Sequence, residues 1–132
     1  MPVTSPRLTS AASILLVNNV VESAEWYRDV LGFRFDRYWG EPPSFCMVWR
    51  GPFCVMLAEV PVGEQIRPVS SVNTSVWDAY FWTDDAEALY DQFAQRGAEF
   101  NYGPVLKPYN VKEFVVLDPN GYHLAFGEDL DE

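Results

Sequence analysis

The stretch VLDPNGYHLAFGE, Val116 to Glu128, joins a tight turn to a strand. Asp118-Pro119-Asn120-Gly121 holds the residues that a two-strand connection uses: proline presets φ, and Asn-Gly accepts positive φ without a Cβ clash. Side chains alternate along the strand that follows. Tyr122, Leu124 and Phe126 therefore share one face, and His123 and Ala125 share the other. Three large apolar residues on one face require a helix packed against them. The same unit occurs earlier in the chain: Arg50-Gly51-Pro52 precedes FCVMLAEV, Phe53 to Val60. This copy aligns Phe53 with Tyr122, Cys54 with His123, Val55 with Leu124 and Met56 with Ala125, and a unit met twice points to a chain of two copies.

Outward from these two strands, each copy reads alike. In the first, Ser13 to Val17 is a buried strand ending at Asn18-Asn19. Asn19 caps a helix with Glu22 as the reciprocal partner; Val20, Ala24, Tyr27 and Leu31 line one face at helical spacing, and Gly32 ends it. Strands are expected over Phe33 to Trp39, Ser44 to Trp49 and Phe53 to Val60. In the second copy Val76 to Thr83 is a strand, Asp84 caps a helix with Glu87 as its partner, Leu89, Tyr90 and Phe93 form the apolar face, and Gly97 stops it. Phe100 to Tyr102, Glu113 to Leu117 and Tyr122 to Phe126 complete that set. The expected fold class is α+β, one domain over 1–132 made of two βαβββ modules, about 8–60 and 76–128, with a connector over about 61–75 that carries Pro61, Gly63 and Pro68.

The chain of 132 residues is 48% hydrophobic and 16% aromatic, enough to bury a sizeable core. Nine Lys and Arg against nineteen Asp and Glu give a formal net charge of -10, which repels phosphate backbones and argues against nucleic acid as a partner. No apolar run approaches the roughly 20 residues of a membrane helix, and MPVTSPRLTS lacks a secretion signal, so no membrane association and a cytoplasmic location are expected. Cys46 and Cys54 are read as buried thiols rather than a bridge. Glu128 to Glu132 is read as a frayed acidic tail.

With SAEWYRDVLGF after the first strand and FVVLDPNGYHLAF at its end, the chain resembles the vicinal oxygen chelate superfamily of glyoxalase I, extradiol dioxygenases, fosfomycin resistance enzymes and bleomycin resistance proteins. The resemblance implies a curved mixed sheet around a concave cavity with the helices outside, and a cavity shared across a dimer. Metal-using members place His, Glu or Gln at one inward position on the first and last strand of each module. Those positions fall here on Ala12, Met56, Asp78 and Ala125. Alanine has no donor, methionine sulfur is soft, and one carboxylate cannot hold a divalent ion in a closed site, so no metal and no cofactor are expected. His123 lies about 6.6 Å along the strand from Ala125, too far to stand in for the missing ligand without moving the site.

Alternation puts Asp78, Tyr80 and Trp82 on the cavity face, and a carboxylate beside two large aromatics makes a surface for planar or cationic groups. The expected ligand-binding set is Trp82, Tyr80, Asp78, His123, Met56, Trp49 and Trp39. The resemblance is closest in type to the bleomycin resistance branch, and implies a metal-free small-molecule binding protein, sequestering a planar or cationic drug such as bleomycin, with a role in antibiotic resistance. The alternative is a lyase, isomerase or dioxygenase with a shifted or absent metal site, in which His123 and Asp78 are the catalytic candidates. Cys54 with His123 lacks a third group to orient the pair. An isolated two-module sheet would expose Ile14, Leu16, Met56, Tyr80 and Trp82, so a homodimer is expected.

Overall fold

The structure, a computed structural model, describes residues 5–131. Strand β1 (Ala12–Val17) leads into α1 (Val20–Asp29), followed by β2 (Tyr38–Trp39), β3 (Phe45–Arg50) and β4 (Phe53–Glu59). A short helix α2 (Val69–Val72) precedes β5 (Ala79–Trp82), α3 (Ala86–Gln95), β6 (Glu99–Leu106), β7 (Val111–Leu117) and β8 (His123–Asp129). The strands form two open four-stranded sheets, β1-β4-β3-β2 and β5-β8-β7-β6, each with one parallel pair and two antiparallel pairs. The α+β pattern of two βαβββ modules is as the sequence implies.

The repeat extends to the helix starts. Asn19 and Asp85 cap α1 and α3, their side chains accepting from the backbone N–H of Glu22 and of Ala88 at 3.0 Å each. In each module a glutamate at the end of the last strand accepts from the first helical N–H: Glu59 from Val20 and Glu128 from Ala86, both at 3.0 Å. Each pair satisfies two of the donors a helix start leaves unpaired. Gly32 and Gly97 follow the helices at φ +73 and +86, a conformation that costs glycine little.

Several local expectations are corrected. Asp85, not Asp84, caps α3, because the helix begins one residue later. The strand expected over Phe33 to Trp39 is confined to Tyr38–Trp39, with an isolated bridge from Arg34 to Trp49; Phe33 and Phe35 instead pack on Tyr27 and Tyr38. The strand expected over Val76 to Thr83 is Ala79–Trp82, and the connector contains α2. Glu128 and Asp129 belong to β8 rather than to a frayed tail; Glu132 lies outside the described residues. Of the turn residues, Gly121 takes positive φ and Asn120 does not.

Asn120 ties the modules together instead. Its side chain accepts from the Asn18 N–H at 2.9 Å and donates to Ser23 Oγ at 3.1 Å, while the Tyr122 hydroxyl donates to the Leu16 carbonyl at 2.6 Å. Tyr27 on α1 donates to Asp118 in the turn at 3.3 Å. Apolar packing continues across this seam, with Phe33 set edge-on to Phe81, which stacks on Phe126. Tyr122, Leu124 and Phe126 lie in this core as their alternation requires, and each such side chain contributes roughly 1.5–3 kcal/mol through burial.

Candidate functional site

Strand β5 turns Ala79 and Phe81 into the core and leaves Tyr80 and Trp82 on the opposite face of its sheet. Pairing carries that face across the sheet in two rows: Tyr80 beside Ala125, Val115 and Tyr102, and Trp82 beside Gly127, Glu113 and Val105. The middle strand presents small residues, so the Tyr80 ring can lie down over it. A Cβ added to Gly127 would overlap the Tyr80 hydroxyl.

The hydroxyl of that ring meets Glu113, fully buried on β7. Its Oε1 accepts from the hydroxyls of Tyr80 at 2.7 Å and Tyr109 at 2.8 Å; its Oε2 accepts from the hydroxyl of Tyr102, with Lys107 Nζ 3.9 Å away. A buried carboxylate is retained where donors replace its lost hydration. Burial, then the hydrogen bond to Glu113, pushes the Tyr102 phenol up to about 12; the same two causes raise Tyr80 and Tyr109. These phenols therefore stay protonated donors through the neutral range.

Around this core stand aromatic rings in edge-on and tilted contact. Trp77 meets Tyr80 at 4.7 Å between centroids, and Tyr80 meets Trp82 at 4.9 Å. Together with Tyr109 they line an open hollow of about 460 Å³. A second hollow of about 370 Å³ shares Trp77 and Tyr109 with it and adds Tyr102, Lys107, Val115 and His123. Trp82 is 61% exposed, a large aromatic surface left in water.

The structure divides the expected ligand-binding set. Tyr80 and Trp82 form the aromatic wall, and His123 lines the adjoining hollow. Asp78 is engaged elsewhere: its carboxylate accepts from the Ser70 N–H at 3.1 Å, the Ser70 hydroxyl at 2.5 Å and the His123 N–H at 2.8 Å, which fastens α2 to β8. The contact between Asp78 and His123 runs through the histidine backbone rather than its imidazole. Met56, Trp49 and Trp39 belong to the other sheet, Met56 in a row with Met47 and Ile14, and Trp39 under the Arg37 guanidinium at 4.2 Å. Of the four family metal positions, Ala12 and Met56 stand on the first sheet, Asp78 beside the second and Ala125 in it. Among the described residues no three His, Cys, Asp or Glu side chains group closely enough to hold an ion.

Sequence reasoning missed Glu113, Trp77, Tyr102, Tyr109 and Lys107. One signal was available: in VKEFVVL a lone glutamate interrupts an apolar strand, and alternation sets it with Val115 opposite Phe114 and Val116. A carboxylate in a strand that buries both faces needs partners. Tyr109 and Lys107 come from the turn before β7, which no periodicity places.

A family model described as the Glyoxalase/Bleomycin resistance protein/Dioxygenase superfamily matches residues 7–126. None of the curated proteins matches the chain. Among solved structures, TioX from Micromonospora sp. ML1 is similar with a TM-score of 0.72 at 19% identity, covering 92% of this chain and 99% of that one. TnmS3, an antibiotic binding protein from Streptomyces sp. CB03234, gives 0.72 at 16% identity over 96% and 99%. The bleomycin-binding protein from Streptomyces verticillus, complexed with copper(II)-bleomycin, gives 0.68 at 20% identity over 92% and 97%. Likeness at these identities carries the fold and not the ligand.

Proposed function

We propose, for a chain that belongs to the Glyoxalase/Bleomycin resistance protein/Dioxygenase superfamily, that it is a metal-free binding protein sequestering a planar, cationic small molecule on the Trp77–Tyr80–Trp82–Tyr109 face. One observation carries the reading: a fully buried carboxylate, Glu113, accepts from the hydroxyls of two rings of an open aromatic wall. Rings give a planar ligand a stacking surface worth roughly 0.5–1.5 kcal/mol per contact beyond area, and the charge behind them favours a cation. The net charge of -10 adds a long-range attraction for the same ligands. Two of the similar folds are an antibiotic binding protein and a bleomycin-binding protein, which is in keeping with a binding role.

The metal-free part of the reading rests on donors. Ala12 and Ala125 offer none, Met56 offers a soft sulfur, and Asp78 already accepts three hydrogen bonds. No helix of the described residues is long and apolar enough to cross a membrane. Two free, buried cysteines favour a reducing compartment such as the cytoplasm as the place of action. The chain is proposed to work as a homodimer, because Ile14 and Leu16 stand 69% and 44% exposed on the outward face of β1.

Titration with N-methylacridinium, followed by tryptophan fluorescence, tests the binding reading. Saturable quenching that weakens with salt and is reduced in Glu113→Gln is expected. A folded protein that shows no saturation with this probe would remove the proposal.

A further inference from the structure

Four groups close over Glu113, and only one of them is charged. The hydroxyls of Tyr80, Tyr102 and Tyr109 donate to it as neutral groups, while Lys107 brings an ammonium. Its Nζ stands 3.9 Å from Glu113 Oε2 and 4.5 Å from the centre of the Tyr102 ring. An ammonium set between a carboxylate and an aromatic face is how ring-lined pockets hold cationic ligands. Here the protein supplies that ammonium itself.

The lysine is weakly held. A distance of 3.9 Å exceeds the 2.7–2.9 Å or so of a close charge-assisted hydrogen bond. The lysine side chain is 30% exposed while Glu113 is fully buried, so only the ammonium partner has access to the surface. The turn that carries it is fixed by its backbone, Lys107 N–H to the Val111 carbonyl and Asn110 N–H to the Lys107 carbonyl, which leaves the side chain free to swing without moving β7. Lys107 and Tyr102, the two groups that meet Glu113 Oε2, line one hollow with His123. That hollow meets the aromatic one at Trp77 and Tyr109.

We infer that Lys107 Nζ occupies the cation position of this site, and that a ligand's own ammonium takes its place against Glu113 and Tyr102 while the ligand's planar part stacks on Trp77, Tyr80 and Trp82. The inference rests on the binding reading above and adds two things to it. The ligand is a planar ring system bearing one pendant cation, and the empty site is held in check by its own lysine. Removal of Lys107 leaves a carboxylate without its counter-charge, which an incoming cation then satisfies without competition. An anionic ligand of the same shape would instead need Lys107.

Calorimetric titration of the full chain tests this with 2-naphthylethylammonium and with 2-naphthylpropanoate as its anionic counterpart. Lys107→Met should bind the ammonium roughly five- to tenfold more tightly than wild type and the propanoate more weakly, whereas Lys107→Arg, which keeps the charge, should remain close to wild type. Circular dichroism establishes that each variant is folded. Equal or weaker ammonium binding by Lys107→Met overturns the inference and leaves the binding reading standing. No saturation by the ammonium in folded wild type and folded Lys107→Met overturns both.

Discussion

Tyr80 lies across the bare backbone of Gly127, with its Cζ 2.9 Å from where a Cβ on that residue would stand. That passage lets a residue on β5 reach Glu113 on β7 over the intervening strand, closing a 2.7 Å hydrogen bond. Gly127→Ala should therefore displace the Tyr80 ring, cost about 1–3 kcal/mol in a urea titration as an overpacked site does, and weaken binding of N-methylacridinium. A variant as stable and as tight as wild type would show that the ring has another route.

Trp82 separates a binding surface from a packing one. At 61% exposure it makes little core contact, so Trp82→Ala should cost under about 1 kcal/mol of stability, against roughly 3–5 kcal/mol for a buried tryptophan. The same variant should bind planar cations several-fold more weakly. A large drop in the urea midpoint with unchanged affinity would assign it to packing.

The tyrosine cradle predicts alkaline sensitivity. Burial and Glu113 hold the Tyr102 phenol at about 12, above its ordinary 10.0, so the folded state favours the protonated form. That contribution is fully present below the unfolded value and is lost as pH rises from about 10 toward 12. Tyr102→Phe should be less stable at neutral pH by about 1–3 kcal/mol, since Glu113 loses a donor, and should decline less steeply through the alkaline range. Parallel stability curves for the two proteins would contradict the assignment.

Cys46 is buried on β3 and its thiol is pushed up to about 11 by desolvation first, with Asp36 and Cys54 adding to it. The thiolate is the reactive form, so a thiol reagent should label native protein far more slowly than urea-unfolded protein at neutral pH. Rapid labelling of Cys46 in the native state would show that β3 opens readily.

The outward face of β1 predicts assembly. Ile14 stands in a row with Met56 and Met47, an apolar strip across three strands of the first sheet. Sedimentation should find a dimer at micromolar concentration, and Ile14→Glu should shift it to the 15.1 kDa monomer with its circular dichroism unchanged. A wild type that sediments only as monomer would leave the strip to some other use.

What the sequence determined by itself is local and periodic. The two βαβββ modules, their Asn19 cap and helix-ending glycines, and the inward set Tyr122, Leu124 and Phe126 all follow from alternation, helical spacing and turn chemistry, which act between near neighbours in the chain. Alternation also placed Tyr80 and Trp82 on the open face. It failed where an end effect decides: Asp84 and Asp85 both suit a cap, and the helix starts after the second, where Glu128 also accepts from its first N–H. The tertiary structure alone decided the site, because its parts come from β5, β6, β7 and the turn before β7. Asp78 looked like the charge beside the rings, yet the connector returns Ser70 to it and uses up its oxygens. Glu113 became that charge because strand pairing sets Tyr80 and Tyr102 in the row next to it and the turn before β7 brings Tyr109 to it, and register is a property of paired strands rather than of any one stretch of sequence.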